Sequence, residues 1–213
     1  MLSAVAADRS FSLKMEAEPI PDTDDGREID FSLMERIGQG DHAAFRLLVE
    51  RHQNAVVGTV AKMLGNASES EDIAQHVFLR IWKNAKRYRP EAKFTTYLFT
   101  ITRNLVFNET RRKSRKKEIS SDEREENSHL MIEANPDCQP DAELLQAELQ
   151  RAVDDAIASL PETQRMAVVL RRYEQLSYEE IGEALQLSVS AVKSLLFRAR
   201  TNLREALAGY LED

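Results

Sequence analysis

Apolar side chains recur at three- and four-residue steps through most of this chain, and that spacing constrains its fold more than any other feature. Between Asp41 and Leu64, the residues Phe45, Leu48, Val49, Val56, Val60 and Met63 fall on one stripe. At about 100° per residue such a set occupies a single helix face, which must be buried. The same period marks Ile73, Val77, Ile81 and Ala85. It returns in Leu98, Ile101 and Leu105, then in Leu145, Leu149, Val153, Ala156 and Leu160. Glycine and proline number 7 and 6 in 213 residues, so helix breakers are sparse and long helices are favoured over strands and turns. The expected fold class is all-α.

The breaks divide the helices into two groups. Asp30 is placed to cap a short helix, Phe31 to Ile37, that ends at Gly38 and Gly40. Asp41 caps the long helix, and Gly65-Asn66 stops it. Ser68 and Glu71 have capping-box spacing and open a helix to about Tyr88, where Arg89-Pro90 breaks the period. A fourth helix is expected from about Phe94 to Ser114. Residues 115–138 are polar and aperiodic, with Pro136 near their end, and read as a flexible linker. Beyond it come a helix over about Asp141 to Ser159 and another from Pro161 to about Tyr173. A third is opened by Ser177 and Glu180 at capping-box spacing, and a last one runs from Ser188 to about Tyr210. The organisation is therefore two small helical domains, 30–114 and 139–213, joined by the linker. An acidic, aperiodic tail at 1–29 is expected to be disordered.

No apolar run reaches the roughly 20 residues of a membrane-spanning helix, so no membrane insertion is expected. The start of the chain lacks the basic and apolar segments of a signal peptide. A single cysteine, Cys138, cannot form an internal disulfide, which suits a reducing cytoplasm. The formal net charge of −7 argues against a polyanionic partner until its distribution is considered. Between Lys83 and Lys117 the cations are opposed by Glu91 and Glu109 alone. Acids gather instead near Asp22–Glu28 and Asp122–Glu126. Local field steers a polyanion more than total charge does.

The stretch "SYEEIGEALQLSVSAVKSLLFRAR", residues 177–200, is the most specific. Two short amphipathic helices flank a three-residue break, the pattern of a helix-turn-helix whose second helix enters the major groove. On that second helix Val192, Leu195, Leu196, Ala199 and Leu203 face inward. Ser190, Ser194 and Phe197 face out, flanked by Lys193 and Arg198. Hydroxyls permit close approach, cations reach phosphates, and an aromatic ring can meet a thymine methyl. The bland alternative is two packed helices with an incidental outward phenylalanine. Gln186 stands where such turns often hold glycine for its positive φ.

A second pattern interleaves aromatics and cations. Trp82, Tyr88, Phe94 and Tyr97 lie beside Arg89, Lys93 and Arg103, with Arg111 to Lys117 beyond. Rings that accept bases and cations that hold the backbone suit single-stranded or opened nucleic acid. Phe99 and Phe107 either join this face or sit in a helix buried on both sides. On the preceding helix Asp72, Gln75, His76, Leu79 and Lys83 share one polar face with a lone leucine, which suits a partner helix or is an ordinary surface.

Catalytic signatures are lacking. His42, His52, His76 and His129 are scattered, Cys138 has no partner for a metal site, and there is no phosphate-binding glycine loop or nucleophile triad. No cofactor, metal or catalytic residue is expected. The residues themselves fit a nucleic-acid-binding protein, such as a conventional helix-turn-helix regulator with an N-terminal dimerisation or sensor domain, or an interaction adaptor. The basic aromatic block is one that a sensor domain does not need.

Three stretches carry a resemblance: "SEDIAQHVFLRIWKNAKRY" (70–88), "FTTYLFTITRNLVFNETRRKSR" (94–115) and "LPETQRMAVVLRRYEQLSYEEIGEALQLSVSAVKSLLFRARTNLREAL" (160–207). In order and spacing they resemble the extracytoplasmic-function sigma factors of bacterial RNA polymerase. The likeness extends over most of residues 30–210. It implies that 30–114 is the sigma region 2 domain, which docks on core polymerase and engages the opened minus-ten element. It implies that 139–213 is the region 4 domain, which reads the minus-thirty-five element. Core docking then falls to Asp72, Gln75, Leu79 and Lys83. Minus-ten contacts fall to Arg89, Lys93, Tyr97, Arg103, Asn104 and Arg111, with the segment from Arg89 to Lys93 matching the loop that captures a flipped-out base. Minus-thirty-five contacts fall to Ser190, Lys193, Ser194, Phe197 and Arg198. The implied partners are bacterial core RNA polymerase, promoter DNA and an anti-sigma factor. The chain departs from the family at Tyr97, commonly tryptophan, at Asn108, commonly aspartate, and at Gln186.

Overall fold

The computed structural model describes residues 24–119 and 140–211. Their helices are α1 (Asp24–Gly38), α2 (His42–Leu64), α3 (Ala67–Asn84), α4 (Phe94–Ile119), α5 (Pro140–Ser159), α6 (Glu162–Arg172), α7 (Tyr178–Leu185), α8 (Val189–Ala206) and α9 (Ala208–Leu211). A 3-10 turn, Ala85–Arg87, follows α3. Among the described residues there is no strand. The family resemblance aside, this is the all-α, two-group arrangement expected from the periodicity.

Helices α1 to α4 pack around Met34, Leu48, Val56, Val60, Val77, Ile81 and Leu98, each nearly or fully buried. A second group of α5 to α8 closes over Met166, Leu170, Ile181 and Val192. Burying one such side chain contributes about 1.5–3 kcal/mol, so these stripes outweigh weak local propensities. The two groups are in contact. Helix α7 lies against α4, and α5 and α6 lie against α2, so one apolar core runs through both.

Several local signals act as expected. Asp41 is the N-cap of α2, accepting from the Ala43 and Ala44 amides at 2.8 and 3.0 Å. Those amide bonds, led by Ala44, and the Arg36 guanidinium hold its carboxyl below the usual carboxylate range. Gly65 closes α2 at φ 68°.

Others differ. Helix α1 begins at Asp24, not after Asp30, and Asp30 is not a cap but a mid-helix residue only 4% exposed. Its carboxylate pairs with α2, so a tertiary partner takes the group that capping would have used. Asn66, not Ser68, caps α3. With Gly65 left-handed, Asn66 is extended (φ −134°, ψ 118°) and its side chain reaches the Glu69 amide. Phe99 is 1% exposed, so the helix carrying it is buried on that side. Leu149, expected inward, is 45% exposed. Of the expected tail and linker, residues 24–29 and 115–119 are helical, and 1–23 and 120–138 lie outside the described residues, as do His129 and Cys138.

Candidate nucleic-acid interface

The helix-turn-helix is assembled by local bonds. Ser177 and Glu180 form a complete capping box at the start of α7, with the Ser177 amide donating to Glu180 Oε2 at 2.7 Å. The chain leaves α7 through Gln186 at φ 59°, ψ 46°, so the turn takes the left-handed conformation without a glycine. The glycine it does need is Gly182. A Cβ there would stand 2.8 Å from the Leu187 carbonyl oxygen, and the Leu187 amide donates to the Gly182 carbonyl at 2.8 Å. The close approach of turn to helix therefore requires a missing side chain, while the torsion is tolerated by glutamine. Ser188 caps α8 by accepting from the Ala191 amide.

On α8, Val192, Leu196 and Ala199 are buried. Ser190, Lys193, Ser194, Phe197 and Arg198 are all exposed, Phe197 by 67%. The Ser194 hydroxyl donates to the Ser190 carbonyl at 3.0 Å, which leaves its lone pairs outward. The face is hydroxyl-rich and cationic around one aromatic ring, a chemistry that suits reading base edges between phosphates.

The second candidate surface lies where α3 gives way to α4. The 3-10 turn tightens the chain after Asn84. Asn84, Arg87, Tyr88, Arg89 and Tyr97 then surround a recess of about 300 Å³. The Tyr88 and Tyr97 rings are 5.2 Å apart at 52°, and Phe94 stands behind both at 6.3 and 6.4 Å. Burial raises both phenol pKa values, and for Tyr88 the Asp30 charge adds to it, so both hydroxyls stay protonated donors at neutral pH. Planar rings, phenol donors and two arginines suit an unstacked base with its phosphate.

Of the residues expected here, Arg89 and Tyr97 line the recess. Asn84 and Arg87 were not among the expected site residues; they line the recess beside Tyr88, which belongs to the aromatic and cationic pattern of the sequence. Lys93, just before α4, and Arg103 on it reach α7, and Asn104 lies beside Arg103. Lys93 pairs with Glu180 at 2.9 Å. Arg103 donates to Asn104 Oδ1 at 2.6 Å and to the Leu185 carbonyl at 2.8 Å, and its guanidinium lies 5.6 Å from the Phe107 ring centre. Burial, with Arg111 nearby, works against the charge on Arg103. Arg111 itself is exposed further along α4.

On α3, Asp72, Gln75, Leu79 and Lys83 are exposed and, three or four residues apart, share one face. Leu79 is 48% exposed between polar neighbours.

Polar contacts also tie the two groups together. Thr59 donates to Glu174 at 2.9 Å, and Arg165 donates to the Met63 carbonyl at 2.8 Å. Lys62 lies 4.0 Å from the Tyr173 ring centre and 3.7 Å from Asp154. Burial pushes the Glu174 carboxyl up to about 7, against the opposing pull of Thr59 and Lys62. Among the described residues no group of acidic, histidine or cysteine side chains is arranged to hold a metal, and no helix is long and apolar enough to cross a membrane.

Comparison with known proteins gives two family matches: sigma-70 region 2 over residues 48–116 and sigma-70 region 4 over residues 150–203. The chain is 31% identical over 192 residues to the RNA polymerase sigma-H factor of Pseudomonas aeruginosa, covering 88% of this chain and 98% of that protein. It is 36% identical over 173 residues to the extracytoplasmic-function (ECF) RNA polymerase sigma-E factor of Haemophilus influenzae, covering 80% and 91%. The fold is similar to the sigma factor RpoE of Bartonella quintana solved in complex with the anti-sigma factor NepR. There the TM-score is 0.62 at 21% identity, over 77% of this chain and 96% of that one.

Proposed function

Because this chain belongs to the extracytoplasmic-function sigma factors, which direct RNA polymerase to promoters, we propose that it divides that work among three surfaces. The exposed face of α3, with Asp72, Gln75, Leu79 and Lys83, docks on core polymerase. The recess between the 3-10 turn and α4 takes a base flipped out of the minus-ten element, while Arg89, Lys93, Arg103, Asn104 and Arg111 hold the melted strand. The outward face of α8 reads the minus-thirty-five element in the major groove.

The observation that carries this division is the recess itself. A groove-reading helix is common to many regulators, but a conventional regulator has no use for a tyrosine-walled, arginine-rimmed hollow on a separate group of helices. The working units are residues 30–114 and 139–213, with 115–138 between them. The chain acts in the cytoplasm, with polymerase and chromosome, and performs no chemistry of its own. An anti-sigma factor is its natural regulator, since a protein that covers α4 and α8 together removes both DNA surfaces at once.

Runoff transcription with bacterial core polymerase on a promoter library tests the proposal. Transcripts should arise from a restricted set of promoters sharing two spaced elements. A protein that binds duplex DNA alone, as a dimer, and leaves core polymerase without promoter preference would be a conventional regulator instead.

A further inference from the structure

We infer that Asp30 and His52 are positioning residues for minus-ten base capture, holding the tyrosine recess from behind through Phe94. The inference rests on the base-binding role given to that recess above. Helix α1 lies before residue 48, where the region 2 match begins, so the inference adds a segment outside the matched region to the promoter-reading apparatus.

The contacts form a continuous path. Asp30, 4% exposed, projects from the middle of α1 onto α2. His52 is fully buried, and its Nε2 meets Asp30 Oδ1 at 2.9 Å. Arg51 Nε stands 2.9 Å from the same oxygen as an ion pair. With Asp30 as its acceptor, Nε2 carries the hydrogen, and Nδ1 has no hydrogen-bond partner among the described residues. The carboxylate thereby sets both the tautomer and the plane of the imidazole. That ring faces Phe94 at 5.0 Å and 54°, and Phe94 is the ring against which Tyr88 and Tyr97 both rest. One further contact runs from α1 to the same place, beside the Asp30 charge, which adds to burial in favouring the protonated Tyr88 phenol. The end of α1 at Gly38 lies against the backbone of Ala85 and Lys86, in the turn that carries Arg87.

Anchoring α1 does not by itself call for these groups. Leu33, Met34 and Ile37 already bury α1 against the core. A desolvated carboxylate is a costly way to hold two helices that apolar contacts hold already. It does supply direction: a buried hydrogen bond locks the rotamer of a ring that must be fixed for its neighbours to be fixed, as a supporting shell does for a binding site.

The test uses full-length protein assembled with core polymerase, and fork-junction DNA from a promoter chosen in the runoff library. Each minus-ten position is varied through all four bases. Tyr97→Ala establishes which position the recess reads. Asp30→Leu should lower preference at that same position by about tenfold, the scale of one lost stacking contact. Binding to minus-thirty-five duplex and to core should be unchanged. An unaltered preference in a folded Asp30→Leu protein, or an equal loss at every position, overturns the inference. Should circular dichroism show that Asp30→Leu does not fold, His52→Gln decides by the same readout, because its amide can still donate to Asp30 while the ring that faces Phe94 is gone. If Tyr97→Ala itself changes no position, the base-binding role of the recess falls and the inference with it. An effect of Tyr97→Ala without one from the other two variants removes the inference alone.

Discussion

Helix α8 and helix α4 both carry cations and aromatics proposed to meet DNA, yet the two differ in how far those groups are engaged within the protein. On α8 the ring of Phe197 and the ends of Lys193 and Arg198 stand in solvent. On α4 the corresponding groups are engaged by the chain's own second group of helices, Lys93 with Glu180 of α7 and Arg103 with the carbonyl that ends α7. A free surface binds at the full strength of its contacts. An engaged one binds at that strength less the cost of release. On the proposed division of surfaces, minus-ten contacts by Lys93 and Arg103 are thus coupled to separation of α7 from α4, whereas minus-thirty-five contacts are not.

The largest expected effect bears on that coupling and follows pH. Glu174 sits at the contact between the groups with its carboxyl pushed up to about 7, from an ordinary value near 4.5 when the groups separate. The packed form therefore holds the proton more tightly. Its stabilisation is complete below about 4.5, declines as pH rises toward 7, and is lost above that. At about 1.4 kcal/mol per unit, the packed form loses on the order of 3 kcal/mol across the window. Energy transfer between labels on α2 and α8 should fall over this range, and Glu174→Gln should flatten the curve. A flat curve in the unaltered protein would break the link between packing and this acid.

Gly182→Ala comes next. Its Cβ has no room beside the Leu187 carbonyl, and overpacking of this kind costs about 1–3 kcal/mol. Thermal unfolding should report the loss. Minus-thirty-five duplex binding should weaken with it while fork-junction binding holds, sharpening the separation of the two surfaces. Phe197→Ala should cost about 1–3 kcal/mol at one base pair. Uniform weakening across sequences would assign the ring to packing instead. Smallest, Lys193→Ala should lower affinity evenly across sequences and reduce the slope of log K against log salt by about 0.9, with core binding intact in a pull-down.

Much of the architecture was readable from residue spacing. The stripes Phe45–Met63 and Ile73–Ala85 became buried faces, and Asp41, Ser177 and Ser188 became caps, because a short polar side chain before an apolar run has few other uses. Sequence spacing failed where a residue had two physical options and a distant partner chose between them. Asp30 could cap a helix or enter one, and His52, 22 residues on, drew it in. Phe99 could face DNA or core, and the packing around α4 buried it. Asn84 and Arg87 joined the site because Arg89 and Tyr97, from beyond the 3-10 turn, came to line one hollow with them and Tyr88.

Local order along the chain determined the helices, their ends, the helix-turn-helix and the identity of the outward groups on α8. These depend on interactions within about four residues, which the amino-acid order states directly. Tertiary structure alone decided the walls of the recess, the pairing of Asp30 with His52, and the engagement of Lys93 and Arg103 by α7. Each joins groups brought together by packing across elements, and no single helix contains the information that it will meet another.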